Sequence, residues 1–193
     1  MEDLYHIGFT SHVHFFEYEG NPIPIEIGFC HIPSGAAYLF TVNHTIYKFN
    51  NNDSYYNEII SWNKSKIEFP SSKGRDPLEI VKKYILNVYF CCDNYRFLKV
   101  AVNGIETKNF FLNLGIPAVD YEQDLKLLPP LESEFKLDPY PAAINHAEYF
   151  HICGNDRYCS LRLAYYYRNY VYDHQHTWLL RRQCSDYGLF STH

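Results

Sequence analysis

One carboxylate interrupts the run Ile23, Pro24, Ile25, Glu26, Ile27, Gly28, Phe29, Cys30. The run is β-branched and apolar enough to read as a buried strand. A carboxylate there needs a partner, a cation or an open sheet end, because an unpaired buried charge is strongly unfavourable. Strand alternation also allows a solvent-facing Glu26 that shares its face with Pro24 and Gly28. A second concentration of chemistry runs from His146 to Cys159 and includes Glu148, His151 and Cys153. Zinc takes about four ligands drawn from Cys, His and carboxylate. Glu148 and His151, three apart, together with Cys159 supply three ligands, and Glu26 supplies a fourth from the sheet. Cys153 competes for a place, being two residues past His151. The bland alternative is that His and Cys are simply frequent in this chain, and spacing alone leaves both readings open. His12 with His14, and His174 with His176, alternate on extended segments without a third ligand nearby, which favours surface placement. His44 stands alone.

The elements that must position these residues follow from periodicity. Residues 1–21 mix histidines with aromatics and end at a turn signal, Gly20-Asn21-Pro22. Strands are expected at 23–30 and 37–42, and a third at 45–49, forming an antiparallel meander. Residues 54–75 read as loop. Asp76-Pro77 offers an N-cap and a first-turn proline for a helix over 77–86. A buried strand over 97–102 leads to a helix over 106–114, stopped at Gly115, and to a short strand at 118–121. Residues 123–142 read as loop or short helix. The last strong element is a helix over 158–173. Three antiparallel strands followed by helix, strand, helix, strand, helix predict an α/β domain, one mixed sheet flanked by helices, over the whole of 1–193.

The chain has 193 residues, and 17 Lys+Arg against 22 Asp+Glu give a formal charge of −5. That sign excludes a domain that coats nucleic acid over its whole surface, but not a local basic patch. Arg157, Arg162, Arg168, Arg181 and Arg182 concentrate in the C-terminal third and are the candidates for such a patch. Nearby tyrosines, part of a total of 19, offer rings on which bases stack. No window approaches a membrane span, and the acidic start Met1-Glu2-Asp3 lacks the layout of a signal peptide. A secreted or membrane protein is therefore not expected. The six cysteines read as reduced, and most of them as small buried hydrophobes.

At Pro24, Glu26, Ile27 and Gly28, and again at His151 and Cys159-Ser160-Leu161, the sequence resembles the Maelstrom domain, a relative of the DEDDh 3′–5′ exonucleases. His44, followed by Thr45 and Ile46, matches that family's histidine motif. Glu148 stands where the family places the first cysteine of a C-x-x-H pair, so the third ligand is Glu148 or Cys153. The resemblance implies an RNase H-like fold and a structural zinc tying the sheet to the terminal helix. It further implies binding of single-stranded RNA and a role with silencing-pathway proteins in small-RNA-guided (piRNA-type) transposon silencing. The location implied is cytoplasmic, in perinuclear granules, or nuclear. Pro24, Lys108 and Cys159 stand where active exonucleases carry carboxylates. Two-metal phosphodiester chemistry needs such carboxylates to hold cations about 4 Å apart, so a DEDDh-type exonuclease is not expected. Two alternatives remain: a metal-independent, single-strand-specific endoribonuclease, and a protein-interaction domain with neither RNA nor metal.

Overall fold

A computed structural model of the chain describes residues 2–92, 98–127 and 141–186. Five strands form one mixed sheet: β1 (Ile7–Tyr18), β2 (Asn21–His31), β3 (Ala37–Thr41), β4 (Lys99–Val102) and β5 (Ala118–Asp120). Their spatial order is β3-β2-β1-β4-β5. The β1/β2 and β2/β3 pairs are antiparallel, while β4 runs parallel to both β1 and β5. Among the described residues five α-helices flank the sheet: α1 (Asn51–Ile60), α2 (Leu78–Phe90), α3 (Ile105–Asn113), α4 (Pro141–Phe150) and α5 (Ser160–Asp186). This α/β arrangement is compatible with an RNase H-like fold.

The meander exists, but it is displaced by one strand. The histidine- and aromatic-rich N-terminal segment, with no strand assigned to it from sequence, is the long central strand β1. It turns into β2 through Glu19 and Gly20, both with positive φ (52° and 75°), as a two-residue hairpin requires. Glu26 therefore lies on the second strand. The expected strand at 45–49 is irregular: Tyr47 and Phe49 instead pack against Tyr18 and Phe69. Residues 51–60, which take in the beginning of the 54–75 segment expected as loop, form α1. Its Asn50 side chain caps the Asp53 N–H, and buried Asn57 bonds both the N–H and the C=O of Glu17. α2, α3 and α5 occupy the expected places, with α5 continuing well beyond residue 173.

The two faces of β2 have different tasks. Ile27 and Phe29 face α2 and α3, where Phe29 stacks on Phe9 at 4.7 Å and packs against Phe111. Glu26, Gly28 and Cys30 face the start of α5. Gly28 lets the backbone of Ser160 and Leu161 lie directly on the strand, because a Cβ there would stand 2.0 Å from the Ser160 carbonyl oxygen. Thr10 on β1 adds a hydrogen bond to the Ala164 carbonyl, 2.7 Å long. The start of α5 is thus fixed against the centre of the sheet. Gly28→Ala is expected to lower stability by about 2–3 kcal/mol through this overlap, read by urea denaturation. Parental stability would show that α5 is not held at this point.

Candidate metal centre

Four side chains from three elements converge on the α5 face of the sheet. Glu26 comes from β2, His146 from the last turn of α4, His151 from just past that helix, and Cys159 from the residue preceding α5. One ligand atom from each lies within 4.8 Å of all the others, and Glu26, His151 and Cys159 are buried. This cluster could hold a metal ion.

Helix geometry selects His146. Ala143, Ala147 and Phe150 of α4 are buried, so the inward stripe runs through 143, 146, 147 and 150. Glu148 is about 200° around the helix from His146, and it is exposed. The helix ends at Phe150. His151 adopts extended backbone (φ −94°, ψ 148°) and forms an isolated antiparallel bridge with Ile67. The break turns its ring back onto Glu26. Cys153 has a left-handed backbone (φ 59°) and an exposed thiol. Of the ligands expected from sequence, the structure brings together Glu26, His151 and Cys159. Glu148 and Cys153 are not among the converging groups, and His146 stands in the place assigned to them. Its signal in the sequence was the i, i+4 run of inward alanines around it, which requires the helix to be recognised first.

Glu26 accepts from every side. Its Oε1 lies 2.5 Å from His146 Nε2 and 2.9 Å from His151 Nε2, and its Oε2 accepts the Ser160 N–H at 2.8 Å. Burial pushes this carboxyl up, but the adjacent His151 and the hydrogen bonds from His146 and His151 outweigh it and hold the group well below the ordinary carboxylate range. His151 Nδ1 faces the Ser65 carbonyl at 3.1 Å. A carbonyl only accepts, so that nitrogen carries the proton. Nε2 therefore faces the Glu26 carboxylate, an approach that requires a proton or a metal ion between the two atoms. An imidazole anchored to a backbone carbonyl through its other nitrogen is the usual support of a metal-bound histidine. Burial, followed by the neighbouring Glu26 charge, pushes the Cys159 thiol up; a bound metal reverses this by stabilising the thiolate.

A second layer surrounds the cluster. His14 Nε2 donates to the Tyr158 carbonyl at 2.5 Å, and His12 Nδ1 lies 3.2 Å from the Ser160 hydroxyl. Burial is the main cause lowering both imidazoles. Neither histidine is on the free surface expected for it. The other buried carboxylates among the described residues are occupied with backbone: Asp53 accepts the Glu19 N–H, and Asp120 accepts the N–H groups of Gly104, Glu122 and Gln123.

The remaining sequence candidates separate. His44 is buried in an aromatic cage with Phe16, Tyr47 and Phe49, away from the metal-capable cluster. Its Nε2 donates to the Pro24 carbonyl at 2.8 Å, and its Nδ1 has no partner among the described residues. Lys108 pairs with Asp124 at 2.7 Å. Arg162 is buried against Asp156, and Arg168 donates to the Ile32 carbonyl while covering the Tyr172 ring. Those two arginines are structural and do not form a free patch, whereas Arg157 is exposed. The side chains of Arg181 and Arg182 lie outside those described. No helix among the described residues is long and apolar enough to cross a membrane.

Glu26→Gln, His146→Ala, His151→Ala and Cys159→Ala are each expected to lower the metal content of purified protein, read by elemental analysis. Glu148→Ala and Cys153→Ala should retain the parental content. Loss in Glu148→Ala with full retention in His146→Ala would reverse the ligand assignment. No family model matches the chain, and no curated protein or solved structure matches it.

Proposed function

We propose that this chain is a nuclease-derived, zinc-stabilised scaffold domain that binds single-stranded RNA and acts with silencing-pathway proteins in small-RNA-guided transposon silencing. The observation that carries the metal part is the cluster Glu26, His146, His151 and Cys159, whose atoms lie within 4.8 Å of one another. One carboxylate, two imidazoles and one thiol form a mixed oxygen, nitrogen and sulfur set. Such a set suits zinc better than the all-oxygen shells of magnesium or calcium. Glu26 and a Cys159 thiolate together carry the charge that neutralises Zn²⁺, so the buried centre is neutral with both histidines uncharged. Four protein ligands close the coordination shell, as in structural zinc sites. Zinc at this position joins β2, the end of α4 and the start of α5, and its binding free energy becomes folding free energy.

The centre supplies a single carboxylate, and the other buried acids, Asp53 and Asp120, are engaged by backbone N–H groups. Paired hard-cation chemistry therefore has no support in it. The RNA and silencing parts rest on the resemblance to the Maelstrom domain, aided by exposed rings at Tyr55, Trp62 and Tyr149. With Arg162 and Arg168 committed internally, RNA would be held more by stacking than by phosphate contacts. Each phosphate contact adds about −0.7 to the logarithmic salt slope for a single strand, so the slope here should be shallow.

The protein is expected to purify with one zinc per chain and to lose thermal stability on chelation. Binding of a labelled single-stranded oligoribonucleotide should persist from low to physiological salt. Zinc-free folded protein would overturn the metal reading. Affinity no better than that of an acidic control protein would overturn the RNA reading.

A further inference from the structure

The sheet order reverses between β1 and β4: from β1 the chain builds outward through β2 and β3 on one side, and β4 and β5 lie on the other. In open α/β sheets such a switch point leaves a crevice beyond the strand ends, where ligands bind. Here β4 stops at Val102, paired with Ser11, while β1 continues through His12 to Tyr18. A cleft of about 380 Å³ opens beside that continuation, within the size range of ligand pockets.

Its walls carry Glu17, Glu106 and Lys64, with the Tyr56 ring at the side. The lining thus carries two carboxylates and one ammonium. Neither Glu17 nor Glu106 has a cation within salt-bridge distance among the described residues. His12 and His14 close the floor as fixed rings, 4.6 Å apart, anchored to Ser160 and Tyr158. The charge balance disfavours a phosphate and favours a cation. Aromatic walls further favour a flat, weakly hydrated guanidinium, which stacks on rings and bonds carboxylates in bidentate fashion, over a compact ammonium.

Outside the cleft, Tyr55, Ile59 and Trp62 continue the surface of α1 and the π-helical turn after it at positions i, i+4 and i+7, and are 70%, 41% and 61% exposed. That strip suits the peptide flanking an inserted side chain. We propose that the switch-point cleft is a docking site for a partner protein, taking one arginine side chain between Glu17 and Glu106 with its flanking peptide along α1. The cleft lies beside the metal-capable cluster without using its ligands, and its flanking strip shares Tyr55 and Trp62 with the surface assigned to RNA above, so flanking peptide and RNA compete along that strip only if both readings hold.

Isothermal titration of the full chain with acetyl-Gly-Arg-Gly-amide tests this. The arginine peptide should bind saturably, and the citrulline analogue, equal in shape but uncharged, should bind about tenfold or more weakly, as expected for loss of a charge-assisted pair. Glu17→Gln with Glu106→Gln should cause a similar loss while the melting temperature stays parental, and Lys64→Gln should tighten binding. Equal binding of the two peptides, unchanged affinity in the folded double variant, or no binding at millimolar peptide would each overturn the proposal. Displacement of this tripeptide from the cleft by a single-stranded oligoribonucleotide would overturn it as well, by assigning the cleft to nucleic acid.

Discussion

Burial of one negative charge in the second strand governs this structure. Glu26 is fully enclosed, so its carboxylate must be matched by donors brought from elsewhere in the chain. They come from residues 120, 125 and 134 positions away in sequence: His146, His151 and Ser160. A charge in a low-dielectric interior is tolerated only when its lone pairs are satisfied. The positions of α4, of the connection after it and of the α5 start are therefore tied to a single strand residue.

The same requirement accounts for neighbouring features that would otherwise look unrelated. Gly28 permits the start of α5 to sit on the sheet, which brings the Ser160 N–H within reach of Glu26 and places Cys159 beside it. Helix α4 stops at Phe150, so that His151 can pair with Ile67 on extended backbone and turn its ring inward. His151 Nδ1 is fixed by the Ser65 carbonyl, and the adjacent Ile152 N–H bonds the Lys66 carbonyl at 2.5 Å. Ser65 and Lys66 lie at the end of the π-helical turn that extends α1, so even that distant helix end contributes to orienting the imidazole.

Residues whose burial was at odds with their chemistry were legible from the sequence. Glu26 stood out because it is the only carboxylate in its strand, and Cys159 and His151 because they clustered beside a strong helix. His146 was not legible, because no helix was expected over 141–150 and the Glu148–His151 pair rested on spacing alone. The helix in fact ends between them, and only its buried alanines mark which face turns inward. The alternation of β1 was hidden because histidines occupy its α5 face, and a polar imidazole does not read as a core residue until its partners at Ser160 and Tyr158 are known. α1 was obscured in a similar way: its asparagines are cap and cross-link, not breakers. Thr45–Phe49 has the composition of a strand, but its aromatics are consumed by a cage around His44, and the backbone follows them out of the sheet. The central mixed sheet with its flanking α2, α3 and α5 was legible because those segments obey simple periodicity on a single face.

The metal-capable cluster and the neighbouring cleft share a wall. The histidines that floor the cleft are held by Tyr158 and Ser160, the residues on either side of Cys159. A ligand at Cys159 therefore fixes the segment that fixes His12 and His14, and through them the shape of the cleft. A metal ion held by the cluster would do more than join β2 to the start of α5: it would stiffen the wall that the cluster shares with the cleft, and so reduce the ordering cost of a ligand that enters there.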